Sequence, residues 1–162
     1  MEIPTRDETA RLADQLERSF RGGAWQGPAL AELLDGLDAA AANRRPLAGG
    51  HTIHEIAGHV AFWLAATSRR IEAGAGGAAE SAADWPQVDA SEATWRTTLA
   101  TLEAAHRRLH SLVAGLDDAR LDDPVAGSDP TVRGLLLGIL QHNAYHAGQM
   151  ALLRPAAAEP PP

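Results

Sequence analysis

The 162-residue chain carries 14 Lys+Arg, all of them arginine, against 21 Asp+Glu, and its formal net charge is -7. This length favours a single domain, and 45% hydrophobic with only 4% aromatic residues favours alanine-rich helices. Because phosphates repel an acidic chain, the charge argues against nucleic acid as a general partner. Without cysteine or lysine, the chain forms no disulfide, Cys-based metal site, thiol nucleophile or Schiff base.

The sequence also shows no pattern typical of a membrane span or a secretory signal. No apolar run approaches the ~18–20 residues that span a bilayer. The charged N-terminal run Met1–Glu8 lacks the apolar core of a secretory signal. We therefore expect a cytoplasmic protein with no membrane partner.

The first third of the chain predicts one long helix and one short one. Apolar residues that recur every four positions up to Phe20 predict a helix over Asp7–Arg21, ended by Gly22-Gly23. Pro28 opens a shorter helical stretch rich in leucine. Asn43–Pro46 closes that stretch.

The clearest helix start in the chain is a capping box. Thr52 stands at the cap position, and Glu55 follows three residues later. The helix that begins there is expected to stop near Gly74, Gly76 and Gly77. A Gly/Ala/Ser segment then runs to Asp84–Pro86, which is long enough to cross from one end of a bundle to the other.

Two further helices complete the fold. Asp89–Glu92 forms a capping pattern before a long helix, and Asp129-Pro130 combines a cap with a proline that opens the last helix. That helix is expected to end at Arg154-Pro155, followed by a disordered tail over residues 155–162. The sequence thus predicts an all-α four-helix bundle over residues 1–154. It has a short extra helix after the first and a long crossover between the second and third.

Two histidines of the last helix form a candidate metal pair. His142 and His146 are four residues apart, so they lie about 40° apart on one helix face. Leu135 and Ile139 surround the same direction, and the imidazoles therefore point into the interior, where they can hold one metal ion jointly. The alternative is two ordinary buried histidines bonded to backbone or water. Asn143 follows His142, which excludes a zinc-protease motif.

His59 is the natural third ligand. It lies at the edge of the apolar arc of its own helix, next to the Trp63 side. Three histidine nitrogens leave one or more metal positions open to water or substrate, which is typical of a catalytic site.

Other histidines compete for the role. His106 and His110 are also four apart, and Glu103 with His106 forms the Glu-x-x-His of di-iron bundles. A di-iron site needs a second copy of that motif, so we reject it and interpret the pair as part of a mostly solvated Arg/His face. His54 lies five residues before His59, about 140° around the helix, and we interpret it as a surface residue.

Two runs of the chain resemble a known family. The run His51–Trp63, HTIHEIAGHVAFW, resembles the second-helix signature of the DinB-like (DinB/YfiT) superfamily. The run Gly138–Gln149, GILQHNAYHAGQ, resembles its last-helix signature His-x-x-x-His-x-Gly-Gln. Ala24–Pro28 and Asp84–Pro86 are similar to one branch of the family. The resemblance extends over nearly the whole chain up to Arg154 and departs at His54, where that branch usually has an aromatic residue.

The resemblance implies a bundle with a long crossover and a divalent metal ion, nickel or zinc, held by three histidines. These map onto His59, His142 and His146. The candidate groups beside the ligands or in the pocket are Gln149, Trp63 and Tyr145.

Characterised relatives include thiol transferases and isomerases that use bacillithiol, mycothiol or glutathione. We therefore expect a metal-dependent enzyme, an S-transferase for a low-molecular-weight thiol or a related hydrolase, acting on a small molecule as a homodimer. The alternative is a non-catalytic, dimeric bundle that binds a metal or small ligand. For the four tryptophans, packing in the core or an interface is favoured over a ligand-stacking pocket.

Overall fold

The structure, a computed structural model, describes residues 7–74, 84–126 and 131–158, with side chains up to residue 155. The helices are α1 Glu8–Arg21, α2 Leu30–Leu34, α3 Ala39–Ala42, α4 Ile53–Ala73, α5 Glu92–Ala114 and α6 Val132–Ala158, with a 3-10 helix at Asp118–Asp122. These ranges contain no β-strand, which confirms the all-α prediction. No helix among the described residues has the length and apolar character needed to cross a membrane.

The four long helices form the bundle. α4 packs against α5 and α6, and α1 packs against the same two helices. α4 and α5 run parallel, because His54 near the start of α4 contacts Thr98, whereas Glu72 near its end pairs with Arg108. The connection between them is described at Gly74 and from Asp84 onward. Its predicted course, including Gly76 and Gly77, therefore lies largely outside the described residues.

The side chains that cap the helices are mostly local. The capping box of α4 is confirmed, since Thr52 Oγ1 accepts from the backbone N–H of Glu55 at 3.1 Å and Glu55 Oε2 accepts from that of Thr52 at 2.8 Å. α5 is capped by Ser91 rather than by Asp89, whose carboxylate instead accepts from the N–H of Ser91. The predicted start of α6 at residues 129–130 lies outside the described residues.

One cap comes from far along the chain. Asp118, in a 3-10 helix that the sequence patterns did not predict, accepts from the N–H groups of Glu8 and Thr9 at 2.8 and 2.9 Å. Asp7, at the cap position of α1, makes no side-chain cap bond. The start of α1 is thus fastened to the segment between α5 and α6.

Two boundaries differ from the prediction. The extra helical stretch after α1 is two short helices, because Gly36 with φ +71° turns the chain between them. α6 continues through Pro155 to Ala158 instead of ending at Arg154. Pro155 has no backbone N–H to donate to the preceding turn, and the three alanines that follow it favour the helix. The tail prediction for residues 159–162 falls outside the described residues.

Candidate metal centre

The three predicted ligands come together between α4 and α6. The Nε2 atom of His142 lies 3.0 Å from Nε2 of His59 and 3.1 Å from Nε2 of His146. The candidate ligand atoms of the three residues all lie within 4.8 Å of one another. His59 and His146 are buried and His142 is half-buried. The site is therefore a largely enclosed cluster of three imidazoles whose inner nitrogens converge.

The outer nitrogens of two ligands are held by carbonyl oxygens. Nδ1 of His59 lies 2.6 Å from the backbone oxygen of Asp84, and Nδ1 of His146 lies 2.7 Å from Oε1 of Gln149. A carbonyl oxygen only accepts, so each Nδ1 carries the proton and each Nε2 presents a lone pair to the cluster. Gln149 donates in turn to the hydroxyl of Tyr145 at 3.0 Å.

Hydrogen bonding alone does not satisfy this cluster. His142 Nε2 carries at most one proton, so it donates to His59 or to His146, and the other close contact then joins two lone pairs. Nδ1 of His142 is buried without a hydrogen-bond partner among the described residues. Nitrogens that share a tetrahedral zinc ion at about 2.0–2.1 Å lie roughly 3.3 Å apart. The donor set and its spacing thus fit a divalent metal ion.

The electrostatics favour the neutral form of His142 and His146. Burial, together with the neighbouring His146 and His59, lowers the pKa of His142 to about 4. Burial also lowers the pKa of His146. Because a metal binds only the unprotonated imidazole, these shifts leave both ligands available at neutral pH.

Aromatic rings cover the cluster. The indole of Trp85 is stacked between the imidazoles of His59 and His51, with ring centroids 3.9 and 3.5 Å apart. Trp63 stands edge-on to both His59 and His142, at 6.4 and 6.2 Å. Sequence analysis named Trp63 but not Trp85, for which the similarity of Asp84–Pro86 to one family branch was the available signal. The atom that accepts a hydrogen bond from His59 is the backbone oxygen of Asp84, and a backbone acceptor cannot be predicted from residue types.

The interpretation of His54 as a surface residue is wrong. Its side chain is fully buried, with Nε2 2.9 Å from Thr98 Oγ1 and Nδ1 3.2 Å from Asn43 Oδ1. α5 and the end of α3 cover this side of α4, which the helical wheel of α4 alone does not show. Its direction away from His59 is as expected.

The solvated-face interpretation of the rival pair is also wrong for His106. That side chain is buried, stacks on Phe20 at 3.9 Å, and places Nε2 2.9 Å from a Glu17 carboxylate oxygen. His110 is half-buried. Glu103, the other half of the di-iron motif, pairs with Arg21. In the described ranges, the group of histidines and acids close enough to share a metal is the cluster of three.

The tryptophans divide between two roles. Trp95 belongs to the core, as predicted, and its indole N–H donates to the carbonyl of Leu37 at 2.9 Å. Trp63 and Trp85 face the histidine cluster. Trp25 is fully exposed on the single chain, so core packing does not describe it.

Comparison with known families bears directly on this centre. The family model described as the DinB superfamily matches residues 24–150, a range that contains all three histidines. The chain belongs to the DinB superfamily. Membership confirms the resemblance found in the sequence and agrees with the all-α bundle. No curated protein and no solved structure gives a significant match, so DinB superfamily membership stands without a named relative.

Proposed function

We propose that the protein binds one divalent metal ion, nickel or zinc, through Nε2 of His59, His142 and His146, and that it acts on a small molecule at that site. The observation that carries the proposal is the convergence of three Nε2 atoms, two of which belong to imidazoles, those of His59 and His146, whose opposite nitrogens are held by carbonyl oxygens. Membership of the DinB superfamily supports it.

The chain's own residues support a choice of reaction class. When bound, a divalent metal acts as a Lewis acid that lowers the pKa of a thiol or water toward ~7. The chain has no cysteine, so a reacting thiol belongs to the substrate. Asp84 and Gln149 hold two imidazoles in the ligating tautomer, and three protein ligands leave room for a substrate atom. Transfer of a low-molecular-weight thiol, or a related hydrolysis, is the chemistry that we propose.

Metal content tests the first half of the proposal. Untagged protein is analysed for bound elements as purified and after incubation with nickel or zinc, beside His142→Ala and the matched control His110→Ala. We expect about one equivalent in the wild type and the control, and its loss in His142→Ala with helicity unchanged. Failure of the wild type to bind either metal, or full metal content in His142→Ala, would overturn the assignment.

Turnover tests the second half. The metal-loaded protein is assayed with a panel of low-molecular-weight thiols and an electrophile. Saturable turnover that is lost in His142→Ala supports an enzyme. Stoichiometric metal with no turnover across the panel supports the alternative, a metal- or ligand-binding bundle. Sedimentation of the same samples measures whether the expected homodimer forms.

A further inference from the structure

Two of the three proposed ligands have a partner for the imidazole nitrogen that faces away from the cluster. Nδ1 of His59 donates to the backbone oxygen of Asp84, and Nδ1 of His146 donates to Oε1 of Gln149. Nδ1 of His142 is buried and has no hydrogen-bond partner among the described residues. A neutral imidazole that ligates through Nε2 carries its proton on Nδ1, so His142 then presents a buried donor that lacks an acceptor.

The next residue along α6, Asn143, carries an acceptor that lacks a donor. It is 1% exposed, and both Oδ1 and Nδ2 are buried without a hydrogen-bond partner in the part of the chain that the structure describes. Leu136 and Met150, two turns before and after it on the same helix face, are fully buried, so this face of α6 belongs to the core. An amide buried without hydrogen bonds is unfavourable, and leucine would fill such a position without that cost. Core packing therefore does not explain an asparagine here.

These two unpartnered groups are chemically complementary. Nδ1–H of His142 needs an acceptor, and Oδ1 of Asn143 can accept. Burial, together with His146 and His59, lowers the pKa of His142, whereas the side chain of Asn143 acts in the opposite direction, as an acceptor beside an imidazole does. Side chains of adjacent helical residues diverge by about 100°, so a hydrogen bond requires both side chains to turn toward each other. Asn143 therefore lies where His142 requires an acceptor.

We propose that Asn143 positions His142 for metal binding, with Oδ1 of Asn143 accepting from Nδ1–H of His142 while Nε2 holds the metal ion. Asp84 and Gln149 serve the other two ligands in the same way. The inference rests on the proposed metal function and adds to it the residue that fixes the third imidazole. Such an acceptor fixes the tautomer and the ring orientation of a ligand, and its loss costs roughly 10–100-fold in metal affinity. Asn143 thus strengthens metal binding although it weakens the core.

The test compares two amide-to-leucine changes, one on each side of His142. Asn143→Leu removes the buried acceptor and keeps a similar side-chain volume. Gln141→Leu makes the same kind of change at the exposed residue before His142, and it is the matched control. Zinc affinity of the full chain is measured by competition with a chromogenic chelator. Stability is measured by urea unfolding of the metal-free protein.

The two measurements are expected to move differently in Asn143→Leu. Its zinc affinity falls about tenfold or more, because His142 loses its acceptor, while the urea midpoint of the metal-free protein stays unchanged or rises. Gln141→Leu keeps the zinc affinity of the wild type within about twofold, since it touches no ligand. Asn143→Asp keeps an acceptor at the position and is expected to bind zinc within about threefold of the wild type or more tightly. This rescue separates the acceptor role from a role in packing.

A spectroscopic measurement on the wild type makes the test independent of how any variant folds. Long-range proton–nitrogen spectra of the zinc-loaded chain are expected to show Nδ1–H of His142 as a slowly exchanging, downfield-shifted signal, which Asn143→Leu removes while the signals of His59 and His146 remain.

Four results would each overturn the inference alone. They are a zinc affinity of Asn143→Leu within about twofold of the wild type, an equal loss of affinity in Gln141→Leu or Asn143→Asp, a lowered urea midpoint in Asn143→Leu, and no such His142 signal in the zinc-loaded wild type. Failure of the wild type to bind zinc or nickel would overturn the proposed metal function, and this inference with it.

Discussion

Replacing Gln149 with leucine isolates the support of one proposed ligand. Gln149 Oε1 lies 2.7 Å from Nδ1 of His146, and leucine keeps the helix and the bulk while it removes the acceptor. His146 is then free to rotate or to move its proton to Nε2, where it no longer ligates. Loss of such a partner typically costs 10–100-fold in metal affinity. Because Gln149 is half-buried and water replaces part of the bond, we expect about tenfold, or about 1.4 kcal/mol.

Competition with a chromogenic chelator at pH 7.5 measures the zinc dissociation constant. Two variants serve as controls. Gln141→Leu makes the same change at an exposed position two turns earlier on α6 and is expected to leave the affinity unchanged. Tyr145→Phe removes the hydroxyl that Gln149 contacts but keeps the bond to His146, so its effect is expected to stay below about threefold. An affinity of Gln149→Leu within twofold of the wild type, or an equal loss in Gln141→Leu, would refute the reasoning.

Three further predictions concern stability, measured by urea unfolding of the metal-free protein. Burial holds the pKa of His142 near 4 in the folded state against 6.5 in the unfolded chain. The unfolded chain therefore takes up the proton first, and the free energy of unfolding is expected to fall by up to about 3 kcal/mol as the pH falls from 6.5 to 4. A free energy of unfolding that does not change over this pH range would contradict the prediction. Thr52→Ala breaks the capping box and is expected to lower the free energy of unfolding by about 1 kcal/mol. The control Thr97→Ala, on an exposed face of α5, is expected to lower it by less than about 0.5 kcal/mol. Equal losses in the two variants would contradict the role of the cap. Trp95→Phe removes the hydrogen bond to Leu37 and leaves part of the core volume unfilled, so the free energy of unfolding is expected to fall by about 2 kcal/mol. An unchanged free energy of unfolding would show that this bond and volume contribute little to stability.

The parts of the fold that local chemistry determines were predictable. Thr52 and Glu55 satisfy each other within one helix turn, so their pattern marks the start of α4 without knowledge of the rest. His142 and His146 share a face because they share a helix. The third residue, His59, followed from its own helical wheel and from the family resemblance.

The predictions that failed concern residues whose surroundings come from neighbours distant in sequence. His106 is buried because α1 lays Phe20 and Glu17 over it, 86 and 89 residues earlier in the chain. The wheel of α5 places His106 within the apolar arc, but the neighbouring Arg107 and Arg108 favoured the solvated interpretation, and the wheel does not show which helix covers this face. Likewise, His54 is buried by α5. The start of α1 is capped by Asp118, which lies in a 3-10 helix that has no strong sequence pattern of its own. Periodicity reports which face of a helix is apolar, not which element covers its edges.

The hydrogen bond from His59 to Asp84 has a consequence for mutagenesis. Its acceptor is the main-chain oxygen, so every side chain substituted at position 84 leaves the atom in place. The direction of that oxygen is a property of the backbone, and Pro86 biases Trp85 before it toward an extended conformation. An alanine substitution at position 84 therefore leaves in place the group that fixes the tautomer of His59. Changes to backbone freedom at residues 85 and 86, such as proline to glycine, reach it instead.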